Sequence, residues 1–255
     1  ALTLLAALPV LAQRPSTQFE GSRARVVVDL AGGSIVDFRL LPQNVNPLRW
    51  ESPGSDSEPR PRGHFLCLDR WGQPSEAEQA NGMPFHGEAT RVLWRLEKEP
   101  AGQEWLEASM SAYLPMAGIA VQREIALFRQ GAVFRVSETV TNRNKLGRLY
   151  NMVQHPTVGP PFLDAATVVD SNARQPRALR DADPVDLRRL TDDPNPNVVS
   201  FVIDEDLGWV TAASPSSRLL IGYLGKTSEY PWLNIWRHVE GGKPFARGLE
   251  FGTTG

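Results

Sequence analysis

Apolar and polar residues alternate along much of the chain, which is the period-two pattern of β-strands with one buried face. Residues 121–128 alternate in this way, and a turn at Gln130-Gly131 separates them from a second alternating segment, residues 132–141. Glu138 lies on the apolar face of the second segment, at a position where the pattern predicts a buried apolar residue. The two segments predict neighbouring strands with one discordant position.

Five further segments have strand-type patterns: residues 25–30, 34–40, 208–213, 218–223 and 232–236. The last three are short, apolar or aromatic, and bounded by Gly, Pro or Ser. The first two flank Ala31-Gly32-Gly33 and predict a β-hairpin. Two other stretches, residues 52–62 and 173–197, have the composition of loops, and the second is long enough to be a functional excursion. No segment has a convincing amphipathic helical pattern. Many short strands separated by turn residues predict an all-β fold built as an antiparallel sandwich.

The composition is that of an ordinary soluble globular protein of 255 residues, with 41% hydrophobic and 22% charged residues. The formal net charge is -2 with both signs interspersed, which provides no general field for nucleic acid or acidic membranes. Cys67 is the single cysteine, so an intrachain disulfide is excluded. Its neighbours Phe65, Leu66 and Leu68 are apolar, and this setting predicts a small buried hydrophobe rather than a nucleophile.

The first residues predict an exported protein. Residues 1–12, ALTLLAALPVLA, form an apolar run that is too short to span a bilayer, and polar residues follow it. The residues up to Ala12 suit cleavage by a signal peptidase. We therefore interpret residues 1–12 as a signal-peptide remnant and residues 13–255 as one domain, in a periplasmic or extracellular protein. A buried N-terminal strand or helix is the alternative.

Several common catalytic motifs are missing from the sequence. It contains no phosphate-binding glycine motif, no G-x-S-x-G, no H-E-x-x-H and no paired C-x-x-C. His64, His86, His155 and His238 are far apart along the chain, and a zinc site built on them without cysteine would be unusual. We therefore expect no metal and no organic cofactor.

Three regions combine an acid, a base or an arginine with Gly, Pro and Asn, the residues at which strands end and chains turn. They are residues 69–89, 151–163 and 248–254. Polar side chains at strand ends can converge on one cleft although they are distant in sequence. These regions are therefore the candidate functional site.

In this order the regions resemble the galactose mutarotase-like superfamily, which includes the aldose 1-epimerases. The resemblance is carried by Arg70 followed by His86-Gly87, by His155 at the end of a central strand, and by the late Leu249-Glu250. The hairpin followed by Asn-Pro-Leu-Arg-Trp at residues 46–50 also resembles that family's opening. The resemblance extends from about residue 25 to the last residue. It implies a β-supersandwich of two large antiparallel sheets with a sugar cleft on the concave face.

The resemblance also implies roles for individual residues. His155 would be the general acid, Glu250 the general base, and Arg70 and His86 would hold the sugar hydroxyls and the ring oxygen. Trp236 is a further candidate that could stack on a sugar, although tryptophans in strands are also common core residues. Free Glu and His titrate near about 4.3 and 6.5, so modest pKa shifts would keep the acid ionised and the histidine protonated at neutral pH. His64 and His238 are expected to be structural or exposed.

The sequence departs from this family at the residue implied as the acid, where Gln154-His155-Pro156-Thr157 replaces an Asn-His-aromatic run. The chain also stops five residues after Glu250, so we expect the domain to be incomplete at its C-terminal end. Two other functions therefore stay open. One is a non-catalytic carbohydrate-binding domain. The other is a polysaccharide lyase or glycoside hydrolase module, and a hydrolase would need a second carboxylate, for which Asp164 is the candidate. In each case the partner is a sugar, and the oligomeric state stays open.

Overall fold

The structure is a computed structural model that describes residues 14–174 and 198–255. Within these residues the chain forms fifteen strands and one short helix. Their bounds are β1 Ser16–Glu20, β2 Ala24–Asp29, β3 Ser34–Leu40, β4 His64–Asp69, α1 Glu76–Ala80, β5 Arg95–Ala101, β6 Trp105–Leu114, β7 Ile119–Phe128, β8 Phe134–Asn142, β9 Asn151–Val158, β10 Val168–Ser171, β11 Val198–Val202, β12 Leu207–Ser214, β13 Leu219–Lys226, β14 Trp232–Glu240 and β15 Lys243–Gly252. The proposed signal-peptide remnant, residues 1–12, and most of the loop at 173–197 lie outside the described residues.

The strands form three antiparallel sheets. The largest has eight strands in the order β1-β2-β3-β4-β9-β15-β14-β11. A four-stranded sheet, β5-β6-β7-β8, and a three-stranded sheet, β10-β12-β13, form separately. The prediction of an all-β antiparallel sandwich is confirmed, and each of the seven segments predicted as strands overlaps a strand, with ends that differ by at most four residues. The helix α1 has only five residues, and its N-cap Ser75 forms a capping box with Glu78.

The hairpin predicted around Ala31-Gly32-Gly33 is present between β2 and β3. Gly32 and Gly33 have φ values of 109° and 65°, in the region that favours glycine. A Cβ on Gly33 would come within 2.4 Å of the Trp94 ring, so this turn also needs glycine for close packing.

Alternation along the central strands divides their side chains between two faces. In β4, Leu66 and Leu68 belong to the main hydrophobic core, which also contains residues of all three sheets. Phe65 and Cys67, on the other face, form a second cluster with Val153 of β9. Cys67 is buried, as predicted, and burial raises the pKa of its thiol well above the ordinary value. This second face of the large sheet carries the candidate site.

The structure explains the discordant Glu138. Its carboxylate accepts a hydrogen bond from Nε of Arg123 at 2.9 Å and another from Nε2 of Gln154 at 2.9 Å. Gln154 in turn contacts His64 through its amide oxygen, at 2.9 Å from Nε2. Glu138 is therefore buried because a polar network, and not an apolar neighbour, lies opposite it.

No helix in the described part of the chain is long and apolar enough to cross a membrane.

Candidate active site

His155 of β9 and Glu250 of β15 are in direct contact. His155 Nε2 lies 3.0 Å from Glu250 Oε1, and the two side chains are 4% and 1% exposed. The strands β9 and β15 are neighbours in the large sheet, with Gln154 opposite Phe251 and Thr157 opposite Gly248. This register brings two residues that are 95 positions apart onto one face, so the sequence prediction that they face each other agrees with the geometry.

The ring of His155 is fixed on two sides. It stacks on Phe65 of β4, with ring centroids 4.1 Å apart and an interplanar angle of 21°. Its Nδ1 lies 3.0 Å from the hydroxyl of Thr157, which is itself placed to donate to the carbonyl oxygen of His155 at 3.5 Å. With the hydroxyl donating in this way, Nδ1 carries a proton and Nε2 faces Glu250 as an acceptor. Burial lowers the pKa of His155 well below its ordinary value, and the nearby His86 lowers it further.

The carboxyl group of Glu250 is held through both oxygens. Oε1 contacts His155, and Oε2 accepts a hydrogen bond from the indole Nε1 of Trp71 at 2.7 Å. Burial raises the pKa of Glu250 to about 8, although the Trp71 hydrogen bond opposes this shift. In the closed site, loss of water favours the form of the pair in which neither side chain is charged, in contrast to the ionised glutamate and protonated histidine expected from the sequence.

His86 completes the site from a loop in a strained conformation. His86 and Asp69 are non-glycine residues with positive φ, 68° and 77°. The backbone N–H of Gly72 donates to His86 Nδ1 at 3.0 Å, and the N–H of His86 donates to the carbonyl oxygen of Gly72 at 3.1 Å. Burial lowers the pKa of His86 to about 4, so its ring is neutral at neutral pH and its proton is on Nε2. The ring lies 5.3 Å from that of His155, centroid to centroid.

Aromatic side chains close the site. Trp236 of β14 lies with its ring centroid 6.1 Å from that of His155, so this predicted residue does join the group. Trp50 stacks on Phe65 at 5.9 Å and contacts Trp236 edge to face at 5.6 Å. The resemblance implied a sugar cleft at this place, but the two side chains do not line an open cleft in this structure: they are 4% and 1% exposed. Phe65 and Trp236 pack against His155, and Trp71 is bonded to Glu250.

Arg70 is placed differently from the expectation. Its guanidinium pairs with Glu78 of α1 and lies 3.3 Å from the carboxylate of Asp69. Among the contacts of the described residues, none joins Arg70 to His155 or Glu250. The next residue, Trp71, reaches Glu250 instead. The strand β4 ends at Asp69, and the turn that follows directs the indole and not the guanidinium toward the pair.

The remaining candidates lie elsewhere. Asp164 caps a turn, where its carboxylate accepts from the N–H of Ala166 at 2.9 Å and the hydroxyl of Thr167 at 3.1 Å. It makes no described contact with Glu250. His238 is 43% exposed and lies 3.3 Å from Glu240 at the sheet margin. Within residues 14–174 and 198–255, no three His, Cys, Asp or Glu side chains are grouped so that they could hold a metal ion.

Gly248 leaves the space that the carboxyl group of Glu250 occupies. A Cβ at this position would lie 2.5 Å from Glu250 Oε1 and 3.2 Å from His155 Cε1. We expect Gly248→Ala to push the carboxyl group away from the imidazole, because the side-chain end can move and the strand cannot. Nitrogen NMR of the His155 ring should then show loss of the Nε2 hydrogen bond in a protein that is still folded.

The matched control is Gly222→Ala. Gly222 is also a strand glycine, but its added Cβ would meet Thr211 Cγ2 only at 3.4 Å, an ordinary contact. Its variant should leave the His155 resonances unchanged. Unchanged resonances in Gly248→Ala would mean that Gly248 does not position Glu250.

Comparison with known proteins identifies the fold. No known family profile matches the sequence, and no curated protein matches it either. Several solved structures are similar. A galactose mutarotase related enzyme from Lactobacillus acidophilus superposes with a TM-score of 0.67 and 12% identity, over 93% of this chain and 85% of that one. The Slr1438 protein from Synechocystis sp. PCC 6803 superposes with a TM-score of 0.69 and 15% identity, over 98% and 89% of the two chains.

A galactose mutarotase-like protein from Clostridium acetobutylicum is also similar, with a TM-score of 0.58, 12% identity, and coverage of 93% of this chain and 84% of that one. At these identities the likeness concerns the architecture of the chain. The protein therefore has the galactose mutarotase-like β-sandwich fold, as the resemblance in its sequence implied.

Proposed function

We propose that the protein interconverts the anomers of a sugar, with His155 and Glu250 as its acid–base pair. The observation that carries the proposal is the 3.0 Å contact between His155 Nε2 and Glu250 Oε1 inside a site walled by aromatic rings. Aromatic walls with a few directed polar groups suit a sugar ring, which has apolar faces and a hydroxyl edge. A fold shared with a mutarotase-related enzyme is consistent with this chemistry.

The reaction needs two proton transfers at adjacent oxygens. A base removes the proton of the anomeric hydroxyl while an acid protonates the ring oxygen, and both oxygens are bonded to C1. The C1–O5 bond breaks, O1 becomes the aldehyde oxygen, rotation about C1–C2 exposes the other face, and closure reverses the transfers. Proton-carrying atoms only 3.0 Å apart can reach two oxygens on one carbon from the same side.

One proton, shared by the pair, is enough for this cycle. In the closed site burial favours this proton on Glu250, with His155 neutral. Transfer across the hydrogen bond would give the roles inferred from the resemblance, with His155 as acid and Glu250 as base. Either arrangement contains one acid and one base, and neutral His86 can donate from Nε2 to a sugar oxygen.

Sugar access requires a covering side chain to move. Trp71 and Trp236 are partly exposed, whereas the pair beneath them is almost completely buried. His155 and Glu250 are buried and bonded to each other instead of facing a ligand. This observation also favours a second candidate function, a carbohydrate-binding domain without catalysis. A hydrolase receives less support because Asp164, its candidate second carboxylate, is engaged in capping a turn through the N–H of Ala166 and the hydroxyl of Thr167.

The decisive experiment is one-dimensional NMR of a pure anomer that equilibrates with and without the protein. For at least one of a set of aldoses, we expect the protein to accelerate equilibration. The acceleration should fall as the pH rises through about 8, where the raised pKa of Glu250 lets the pair lose its shared proton. Binding of the same sugars without any acceleration would instead support the binding domain.

A further inference from the structure

Trp71 is the covering side chain that bonds directly to the acid–base pair. Its indole Nε1–H donates to Glu250 Oε2 at 2.7 Å, and its ring packs against the small apolar cluster that contains Phe65. The Trp71 side chain is partly exposed, whereas the Glu250 side chain beneath it is 1% exposed. The indole therefore stands between solvent and the one oxygen of Glu250 that does not face His155.

The three tryptophans around the pair are held to different degrees. Trp236 lies in β14, which is paired with β15 on one side and β11 on the other, and its ring meets that of His155 and further aromatic rings. Trp50 stacks on one ring and meets Trp236 edge to face. Among the described residues, no aromatic ring is in comparable contact with Trp71, and its side-chain hydrogen bond goes to Glu250. Trp71 is therefore the covering ring that can leave with the least loss of packing.

The backbone on both sides of Trp71 is fixed, so that only the side chain has to move. Arg70 pairs with Glu78 of α1. The N–H of Gly72 donates to His86 Nδ1 at 3.0 Å, and the N–H of His86 donates to the carbonyl oxygen of Gly72 at 3.1 Å. Gly72 has a φ of 79°, and apart from its chain neighbours a Cβ there would meet no described atom within 4 Å, so the space beside the turn is open. Rotation of the indole about its own side-chain bonds can therefore uncover the carboxyl group.

The bond from Trp71 also favours one position for the proton of Glu250. Oε2 already accepts the indole N–H, so the proton of the neutral carboxyl group lies on Oε1, which faces His155 Nε2 at 3.0 Å. A sugar hydroxyl is a donor like the indole N–H, so it can take the same place at Oε2 and leave Oε1 undisturbed. The site thus contains a positioned acceptor atom whose present donor can be replaced.

We propose that Trp71 is the positioning residue and the gate of this site: it holds the proton of Glu250 on Oε1 and covers Oε2 until a sugar hydroxyl replaces the indole N–H. The proposal rests on the proposed function, because the entering molecule is the sugar of that reaction. It assigns the opening to one side chain, with Trp236 and Trp50 remaining in place as walls.

Two substitutions separate the hydrogen bond from the cover. The titration of Glu250 is followed by carbon NMR of its labelled carboxyl group, with Glu250→Gln for assignment, and the midpoint in the parent protein is expected at about 8. Trp71→Phe keeps a ring and removes the donor, so the midpoint should rise by about one to two pH units, the effect of one hydrogen bond to a charged group. Trp71→Ala removes the cover, so water reaches the carboxyl group and the midpoint should fall toward the ordinary range of glutamate, because burial is the larger cause of the raised pKa.

Opposite shifts distinguish this role from a structural one, in which both variants would move the midpoint in the same direction. Three other titratable groups lie nearby, but burial keeps His155 and His86 neutral and the Cys67 thiol protonated in this pH range. The matched control is Trp105→Phe, which changes a partly buried tryptophan of β6 in the four-stranded sheet and should leave the midpoint unchanged. Shifts of the same sign in the two Trp71 variants, or no shift in either, would overturn the proposal.

The second measurement follows the indole itself. The Nε1–H resonance of Trp71 is assigned in proton–nitrogen NMR by its absence in Trp71→Phe, and glucose, galactose and mannose are the probes. We expect the resonance to move upfield and to exchange faster with water as a sugar binds, while that of Trp105 stays in place. Trp71→Phe should bind the sugar about two- to tenfold more tightly, since no N–H has to be displaced from the carboxyl group. Binding that leaves the Trp71 resonance in place, or no binding of any of the three sugars, would contradict the gate.

Neither measurement requires turnover, so failure of the gate and failure of the proposed function are distinguishable. Opposite shifts of the midpoint and displacement of the indole by sugar, without acceleration of anomer exchange, would retain the gate and refute the epimerase. Acceleration of anomer exchange with a Trp71 resonance that does not respond to sugar would retain the epimerase and refute the gate.

Discussion

Glu250→Gln is expected to reduce catalysed anomer exchange by a factor of about 10² to 10⁴, the usual contribution of a positioned proton-transfer group. An amide has nearly the shape of the carboxyl group, so its oxygen can still accept from Trp71 Nε1 and its NH₂ can still face His155 Nε2. It cannot give or take a proton in the reaction. The measurement is the NMR equilibration rate of a pure anomer, with sugar affinity determined in parallel and expected to change little.

The surface supplies a matched control for this variant. Glu240 lies 3.3 Å from His238 on β14, so it forms a second Glu–His pair, but its side chain is 56% exposed. Glu240→Gln should leave the rate unchanged, since Glu240 makes no described contact with His155 or Glu250. If Glu250→Gln equilibrates anomers as fast as the parent protein, Glu250 has no role in proton transfer and the binding domain becomes the better interpretation.

Much of the fold was predictable because alternation is a local property of the sequence. Segments such as 121–128 and 208–213 lie in β7 and β12, with ends that differ by one or two residues. Glu138 resisted interpretation because its partner Arg123 lies on the adjacent strand and Gln154 lies in another sheet. The burial of Glu138 can be explained only when the residues that the other sheet places opposite it are known.

The site was predictable in part. His155, Glu250, His86 and Trp236 come together as expected, but the pattern did not distinguish Trp71 from Arg70. That choice depends on the turn after β4, where Asp69 adopts a positive φ. The role of Gly248 was also hidden, because it depends on where the Glu250 carboxyl group lies relative to its own strand. Burial favours the uncharged forms of His155 and Glu250, and the order of residues along the chain does not show which side chains will be buried.

The largest expected loss of stability comes from the buried network behind the site. Arg123 and Glu138 form an ion pair at 2.9 Å with side chains only 1% and 4% exposed. Arg123 also donates to the carbonyl oxygen of Gly33 and lies over the Trp94 ring, 4.7 Å from its centroid. Glu138→Gln would leave the buried guanidinium charge of Arg123 without its counter-ion. We expect the free energy of unfolding to fall by about 3–5 kcal/mol in denaturant titrations.

A double variant distinguishes this cause from simple loss of packing. Arg123→Met with Glu138→Gln removes both charges, so its loss of stability should be smaller than the sum of the two single losses. The matched control is the exposed pair of Arg135 and Glu107, 3.7 Å apart and 62% and 53% exposed, on the same four-stranded sheet. Glu107→Gln should cost less than about 1 kcal/mol. If Glu138→Gln lowers the free energy of unfolding no more than Glu107→Gln does, other groups compensate the charge of Arg123. The ion pair would then not explain why the fold accepts a charged residue at position 138 of β8.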